Sequence, residues 1–255
     1  MAKRTAVATK PEVENNMAVL DEKPDWMKEG GNRGSENVGT ADLIIPRLEI
    51  VQSTSPCRDK TDPSYIEGSQ EGDMYNVVTR KLYGPEVIVC PIYFRKEFNV
   101  WVKRLKGSSA STNQFKGSFP TMEQAEAKVD ELGADKHEVV DTPQHFCLII
   151  DAETGMSEEI VVSMPRTKNK ISRKWNSLVR MAGGDRFSRV YKLYGVKEEN
   201  EFGKFYNFNV MTVGYPPRFV YEAAEKLYEQ IAQGAINIKA SAEEAQETET
   251  DDVPY

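Results

Sequence analysis

The chain has 255 residues, 39% of them hydrophobic and 29% charged, enough to bury one substantial core with polar tails; no apolar run approaches the roughly 18–20 residues that cross a bilayer. Its net charge is −7, which argues against a nucleic-acid binder until the charge is divided along the chain: residues 241–255 carry six acids and no base, leaving −1 for residues 1–240. Cys57, Cys90 and Cys147 are odd in number, widely spaced and without a CxxC pair, which excludes a disulfide framework or zinc knuckle from the expectation.

MAKRTAVATK at the start has charges but no apolar signal core, so a cytoplasmic protein is expected. Residues 1–40 mix Gly, Asn, Glu and Lys without a sustained period and read as a disordered arm, with Trp26 packing on the nearby body. Order is expected from LIIPRLEIVQ (43–52), followed by a turn-rich connection over 53–73. Short strands follow at 75–83, 86–104, 145–152, 158–165, 189–196 and 204–213, with DAETGMS and KEENEFG as hairpin turns. A Ser/Gly-rich stretch at 106–120 reads as a mobile loop. Three helices are predicted: TMEQAEAKVDEL, with Thr121 and Gln124 as a capping box and Gly133 as its stop; a second over about 168–182; and a third from Pro216–Pro217 to about 233, with Val220, Ala224, Leu227 and Ile231 on one stripe. Residues 234–255 read as a flexible linker and acidic tip. The expectation is a mainly β chain with helices (α+β), whose folded domain spans 41–233.

Two blocks of bases stand against the acidic tail. Residues 95–116 hold six bases against Glu97, and residues 166–192 hold nine against Asp185. In the long strand, Ile88, Cys90, Ile92, Phe94, Phe98, Val100 and Val102 alternate onto one face, interrupted by Lys96, and that face is expected to be core. The other carries Tyr93, Arg95, Glu97, Asn99, Trp101 and Lys103, rings and cations together, with Arg104 just beyond. Such a mixture suits a single strand, which needs cations for phosphate and rings for unpaired bases; a bulge near Lys96 would instead send Trp101 inward. In RTKNKISRKWNSLVRMAGG, Ile171, Trp175, Leu178, Val179 and Ala182 form the packing stripe. Arg173 and Arg180 point away from it, flanked by Lys170 and Lys174, with Arg166 and Lys168 just ahead. Grouped bases repel one another, and a phosphate backbone would relieve that repulsion. Tyr206 is the ring of the last strands expected outside.

Enzymatic signatures are missing: no GxxxxGK[ST], no GxGxxG after a strand, no HExxH and no calcium loop, so neither catalysis nor a cofactor is expected. The pair His145 and Cys147 reads as core in an apolar strand, not as metal ligands. No recognition helix or zinc module points to duplex reading. An antiparallel β domain with basic and aromatic residues on a strand face suits single strands, and an oligonucleotide-binding (OB)-type barrel is the candidate architecture.

The final residues Asp251, Asp252, Val253, Pro254 and Tyr255, behind an acidic linker, resemble the Asp-Asp-Ile-Pro-Phe tip of bacterial single-stranded DNA-binding proteins, with Val for Ile and Tyr for Phe. DLIIPRLEIVQSTSP, EGDMYNVVTRKLYG, EVIVCPIYFRK, SMPRTKNKISRKWN and FGKFYNFNV resemble segments of phage-encoded single-stranded DNA-binding proteins. That resemblance covers about residues 40–217. It implies an OB-type barrel, non-catalytic coating of exposed DNA during phage replication and recombination in the host cytoplasm, and recruitment of partner proteins by the tip. A strand-annealing or mediator factor is the alternative reading, and a structural virion protein a third.

Overall fold

The computed structural model describes residues 46–103, 114–151, 155, 157–200 and 203–233. The N-terminal arm with Trp26, Arg104, and the linker and tip with Asp251, Asp252, Val253, Pro254 and Tyr255 lie outside the described residues.

Two antiparallel sheets form the body. In the smaller, β1 (Leu48–Ile50), β2 (Met74–Asn76) and β3 (Leu82–Gly84) follow in order. YNVVTRKLY, expected as one strand, turns back on itself instead. Asn76 Oδ1 accepts the backbone N–H groups of Val78 and Thr79 at 2.9 and 3.0 Å, and Arg80 takes a φ of 58° to complete the reversal.

The larger sheet contains β4 (Glu86–Val102), β5 (Phe115–Phe119), β6 (His137–Ile150), β7 (Ser157–Ser163), β8 (Val190–Asn200) and β9 (Gly203–Gly214). Its order is β7-β6-β4-β8-β9, with β5 pairing the far end of β4. β5 lies in the stretch expected to be a mobile loop. Phe119 pairs with Phe98 and Phe115 with Trp101, so cross-strand aromatic contacts overcome the Ser/Gly composition.

Among the described residues the helices are α1 (Met122–Leu132), α2 (Asn169–Ala182) and α3 (Arg218–Ala232). Thr121 caps α1 by accepting the Gln124 N–H, and Gly133 follows its last turn at a φ of 102°. α2 and the small sheet enclose one core with the large sheet, built on Leu48, Met74, Val89, Ile160, Trp175, Leu193 and Phe208. α3 covers the opposite face through Val220, Ala224, Leu227 and Ile231, which meet Cys90, Ile92, Phe146 and Leu148.

The architecture is mainly antiparallel β with helices, and the strand pairings among the described residues do not close a barrel. The edges formed by β7 and β9 are approached by the chain around β1. On one side, Arg47 makes a parallel bridge to Val161, whose N–H donates to Pro46 O at 2.8 Å. On the other, the Gln52 side chain acts as a short piece of strand: its Nε2 donates to Tyr206 O at 2.9 Å and its Oε1 accepts the Tyr206 N–H at 2.8 Å.

A β-bulge at Ile92 decides which way the long strand faces. The ladder to β6 runs Pro91 to Cys147 and then Tyr93 to Phe146, leaving Ile92 as the extra residue. Ile88, Cys90, Ile92 and Tyr93 consequently all pack on the α3 side. Phe98 and Val100 pack with α1 through Ala125 and Val129, and Phe94 meets His145, whose ring stacks on Trp175 of α2. The single alternating core face expected from Ile88 to Val102 is therefore two half-faces joined by the bulge.

The small sheet is seated so closely that Gly195 of β8 has no room for a side chain. A Cβ there would stand 2.6 Å from Gly72 O and 3.1 Å from Ile50 Cδ1. Gly195→Ala is expected to cost roughly 1–3 kcal/mol by forcing the two sheets apart. A lowered urea midpoint at unchanged m-value is the check; an unchanged midpoint would mean the contact yields freely.

Candidate nucleic-acid interface

The two groups of residues expected to hold DNA lie on opposite faces of the large sheet. Tyr93, Arg95 and Trp101 share the α3 side: Tyr93 lies 6.1 Å from the Phe146 ring and the Arg95 guanidinium 5.9 Å from it. The bases of α2 belong to the other side, above the layer of Trp175 and His145.

On the α3 side the strand face is a polar row, not an open platform. Glu97, Asn99, Thr142 and Gln144 are all buried. Glu97 is ion-paired with Arg95, accepts Gln144 Nε2 at 2.5 Å and accepts Ser118 Oγ at 3.2 Å. Half-buried Trp101 meets Phe115 edge-on at 5.2 Å, and Lys103 Nζ donates to Ala134 O at 2.6 Å. The ring of Tyr206, the residue expected outside, is half-buried, resting on Gly72 and under Lys197 Nζ at 5.6 Å.

On the α2 side the bases divide into two groups. Arg166 pairs with Glu138 at 2.6 Å, Lys168 with Glu49 at 3.1 Å and Lys170 with Glu198 at 2.8 Å. Lys168 also lies 5.0 Å from the Phe208 ring. Burial pushes the Glu49 carboxyl up, but Lys168 and Arg47 outweigh it and hold that carboxyl below its ordinary range. These bases are already matched by acids.

Arg173, Lys174 and Arg180 are not. Arg173 Nε donates to Asn169 Oδ1 at 3.1 Å and Lys174 Nζ to Asn209 Oδ1 at 2.7 Å, both neutral, while Arg180 has no partner among the described residues. All three are exposed on one side of a helix whose opposite side, at Ile171, Ser172 and Trp175, is buried. Among the described residues, no acid compensates these three positive charges on two turns, an arrangement that a chain of phosphates would satisfy.

Beneath this row runs a hydrogen-bonded line that the sequence reading missed. Arg186 Nη2 meets His145 Nδ1 at 2.8 Å, and His145 Nε2 meets Ser172 Oγ at 2.8 Å. Because a guanidinium only donates, the His145 proton sits on Nε2 and is given to Ser172. Burial, then the neighbouring Arg186 charge, push the His145 pKa well below its ordinary value. In the sequence, Arg186 is visible only as one more base of the second block, and His145 only as a core strand residue.

The sign of the resulting pH dependence follows. Unfolded His145 takes up a proton near pH 6.5 and the folded protein does not, so the unfolded state binds more protons and stability falls with falling pH. The loss is expected to be about 1.4 kcal/mol per pH unit below about 6.5, down to the folded-state pKa. Urea unfolding at pH 7.5 and pH 5.5 measures it. His145→Gln should flatten that window, and an equal slope in both proteins would contradict the assignment.

A second missed feature lies near the start of α3. Tyr215 is 70% exposed with the Arg189 guanidinium 3.9 Å from its ring centroid, beside a cleft of about 580 Å³ lined by Tyr221, Pro216 and Arg218. No helix of the described residues is long and apolar enough to cross a membrane.

A model of the Pam3 phage gp34-like protein family matches residues 13–237. The chain belongs to this family. No curated protein and no solved structure matches it. Within this gp34-like protein the matched span takes in the whole described body, including α2, β4 and Arg186, and stops short of the acidic tip. The family is a phage family, as the sequence resemblance implied; its description names no activity.

Proposed function

We propose that this gp34-like protein binds single-stranded DNA with little sequence preference and coats exposed strands during phage replication or recombination. The observation that carries the reading is the exposed row Arg173, Lys174 and Arg180, three bases of α2 that no acid among the described residues neutralises. No bond is made or broken in this role and no cofactor is needed. In this reading the sheet is a variant of the OB type, in which Arg47 and Gln52 at either end of β1 replace a continuous ladder between the β7 and β9 edges. Tyr206 offers a ring, Arg166, Lys168 and Lys170 contribute once phosphate competes for their acid partners, and Tyr93, Arg95, Trp101 and Lys103, with Arg104 next in sequence, add rings and charge where a strand also crosses to the opposite face. The tip Asp251, Asp252, Val253, Pro254 and Tyr255 recruits replication or recombination proteins, and the setting is the host cytoplasm.

The test is a titration of the full chain with labelled oligo-dT and with duplex of equal length, read by fluorescence anisotropy over a range of salt. Tighter binding to the single strand is expected, with log affinity falling by roughly 0.7 per phosphate contact for each decade of salt. Equal preference for duplex, or no salt dependence, would sink the reading. Faster pairing of complementary strands in the same assay would favour the annealing alternative, and binding to neither strand form would favour a structural virion role.

A further inference from the structure

Among the described residues, no carboxylate pairs with the guanidinium of Arg186. Its Nη2 donates to two neutral acceptors, His145 Nδ1 at 2.8 Å and Asn176 Oδ1 at 2.9 Å, and the group lies 5.4 Å from the Phe94 ring centroid. Nε is shielded from solvent and has no partner among the described residues. The adjacent acid, Asp185, instead accepts the Tyr221 hydroxyl at 3.0 Å. Among the described residues, no ion pair is made by Arg186.

Withdrawing a cation from water without an opposite charge is unfavourable, and neutral acceptors only partly offset it. The fold nevertheless holds this one in a single orientation, using β6 for His145, α2 for Asn176 and β4 for Phe94. An arginine guanidinium also makes strong, charge-assisted hydrogen bonds to phosphate oxygens. Its location fits that use. Asn176 stands on α2 three residues after Arg173 and four before Arg180, so Arg186 is beside the exposed row, whose end members are about 10 Å apart along the helix axis.

We infer that Arg186 is a preorganised anchor for one phosphodiester of the bound single strand, with Nη1 as the donor left for it, since Nη2 is used by His145 and Asn176 and Nε is shielded. The inference rests on the proposed single-stranded DNA binding and adds to it a half-buried residue that grips, where the exposed bases of α2 only attract.

Asn176→Asp tests this with almost no change of shape. It sets a carboxylate where a neutral oxygen now accepts from Arg186, cancelling the charge while keeping the guanidinium in place. Arg186→Lys is the second variant, keeping the charge and losing the guanidinium that His145 and Asn176 hold in place. Oligo-dT binding at low salt is expected to weaken about tenfold in each, with the salt slope of Asn176→Asp shallower by about 0.7. Melting of Asn176→Asp at or above the wild-type temperature shows that the fold is intact. If wild type binds oligo-dT and both variants match its affinity and slope, the anchor is wrong and the DNA reading stands. If wild type binds no oligonucleotide, the DNA reading falls and the phosphodiester anchor falls with it. Inorganic phosphate titrated against melting then separates the sources: stabilisation of wild type but not of Asn176→Asp reassigns Arg186 to a small phosphate ligand, and no stabilisation of either removes the anion site.

Discussion

Replacing Arg173, Lys174 and Arg180 together by alanine is expected to weaken oligo-dT binding by several hundred-fold at 50 mM salt, through counterion release at three phosphates. Each contact contributes roughly 0.9 decade at that salt, so the triple variant should also lose about 2 from the magnitude of the salt slope. Folding should be nearly untouched, within about 0.5 kcal/mol, because all three side chains are exposed and none is matched with an acid among the described residues. Arg166→Ala and Lys170→Ala are the comparison. Both remove bases already paired with Glu138 and Glu198, so each should weaken binding less than any member of the triple. Anisotropy titrations at four salt concentrations would decide it. Equal losses for paired and unpaired bases would show that the acids of this surface do not select where a strand lies.

The largest effect on stability is expected at Trp175. The side chain is fully buried, its ring stacks on His145 at 4.4 Å and 8°, and Tyr191 meets it edge-on at 5.9 Å. Its Nε1 has no hydrogen-bond partner among the described residues, so truncation removes packing without stranding a polar group there. Trp175→Ala should cost roughly 3–5 kcal/mol, a large share of the 5–15 kcal/mol that holds a typical domain folded. Urea unfolding followed by far-UV circular dichroism measures it. On the same helix, Met181 is 83% exposed, and Met181→Ala should change the midpoint by less than about 0.5 kcal/mol. Comparable losses at the two sites would mean that α2 is held by its own propensity and not by the ring beneath it.

These expectations follow from where the sequence pattern was readable. Thr121, Gln124 and Gly133 mark the ends of α1 through bonds made within a few residues. The spacing of Ile171 and Trp175 gave the buried side of α2 and therefore the exposed side, and Val220, Ala224, Leu227 and Ile231 did the same for α3. Hairpins were less readable. The reversal at Asn76 depends on one side chain capping two backbone N–H groups, and β5 forms because Phe98 and Trp101 lie across from it, partners at least 14 residues away in sequence.

The sequence by itself determined the segregation of charge, the antiparallel β character with its helices, and which bases of α2 face solvent. All of these depend on composition or on periods of two and 3.6 residues, which need no knowledge of the partner surface. Only the tertiary structure decided which charges remain available. Glu49, Glu138 and Glu198 reach Lys168, Arg166 and Lys170 across long stretches of chain, and one extra residue at Ile92 reversed the parity of β4. The same is true of Arg186, whose meaning comes from His145, Asn176 and Phe94, three residues on three elements. A charge is neutralised by whatever lies within a few ångströms of it, and distance in space is set by the fold, not by order along the chain.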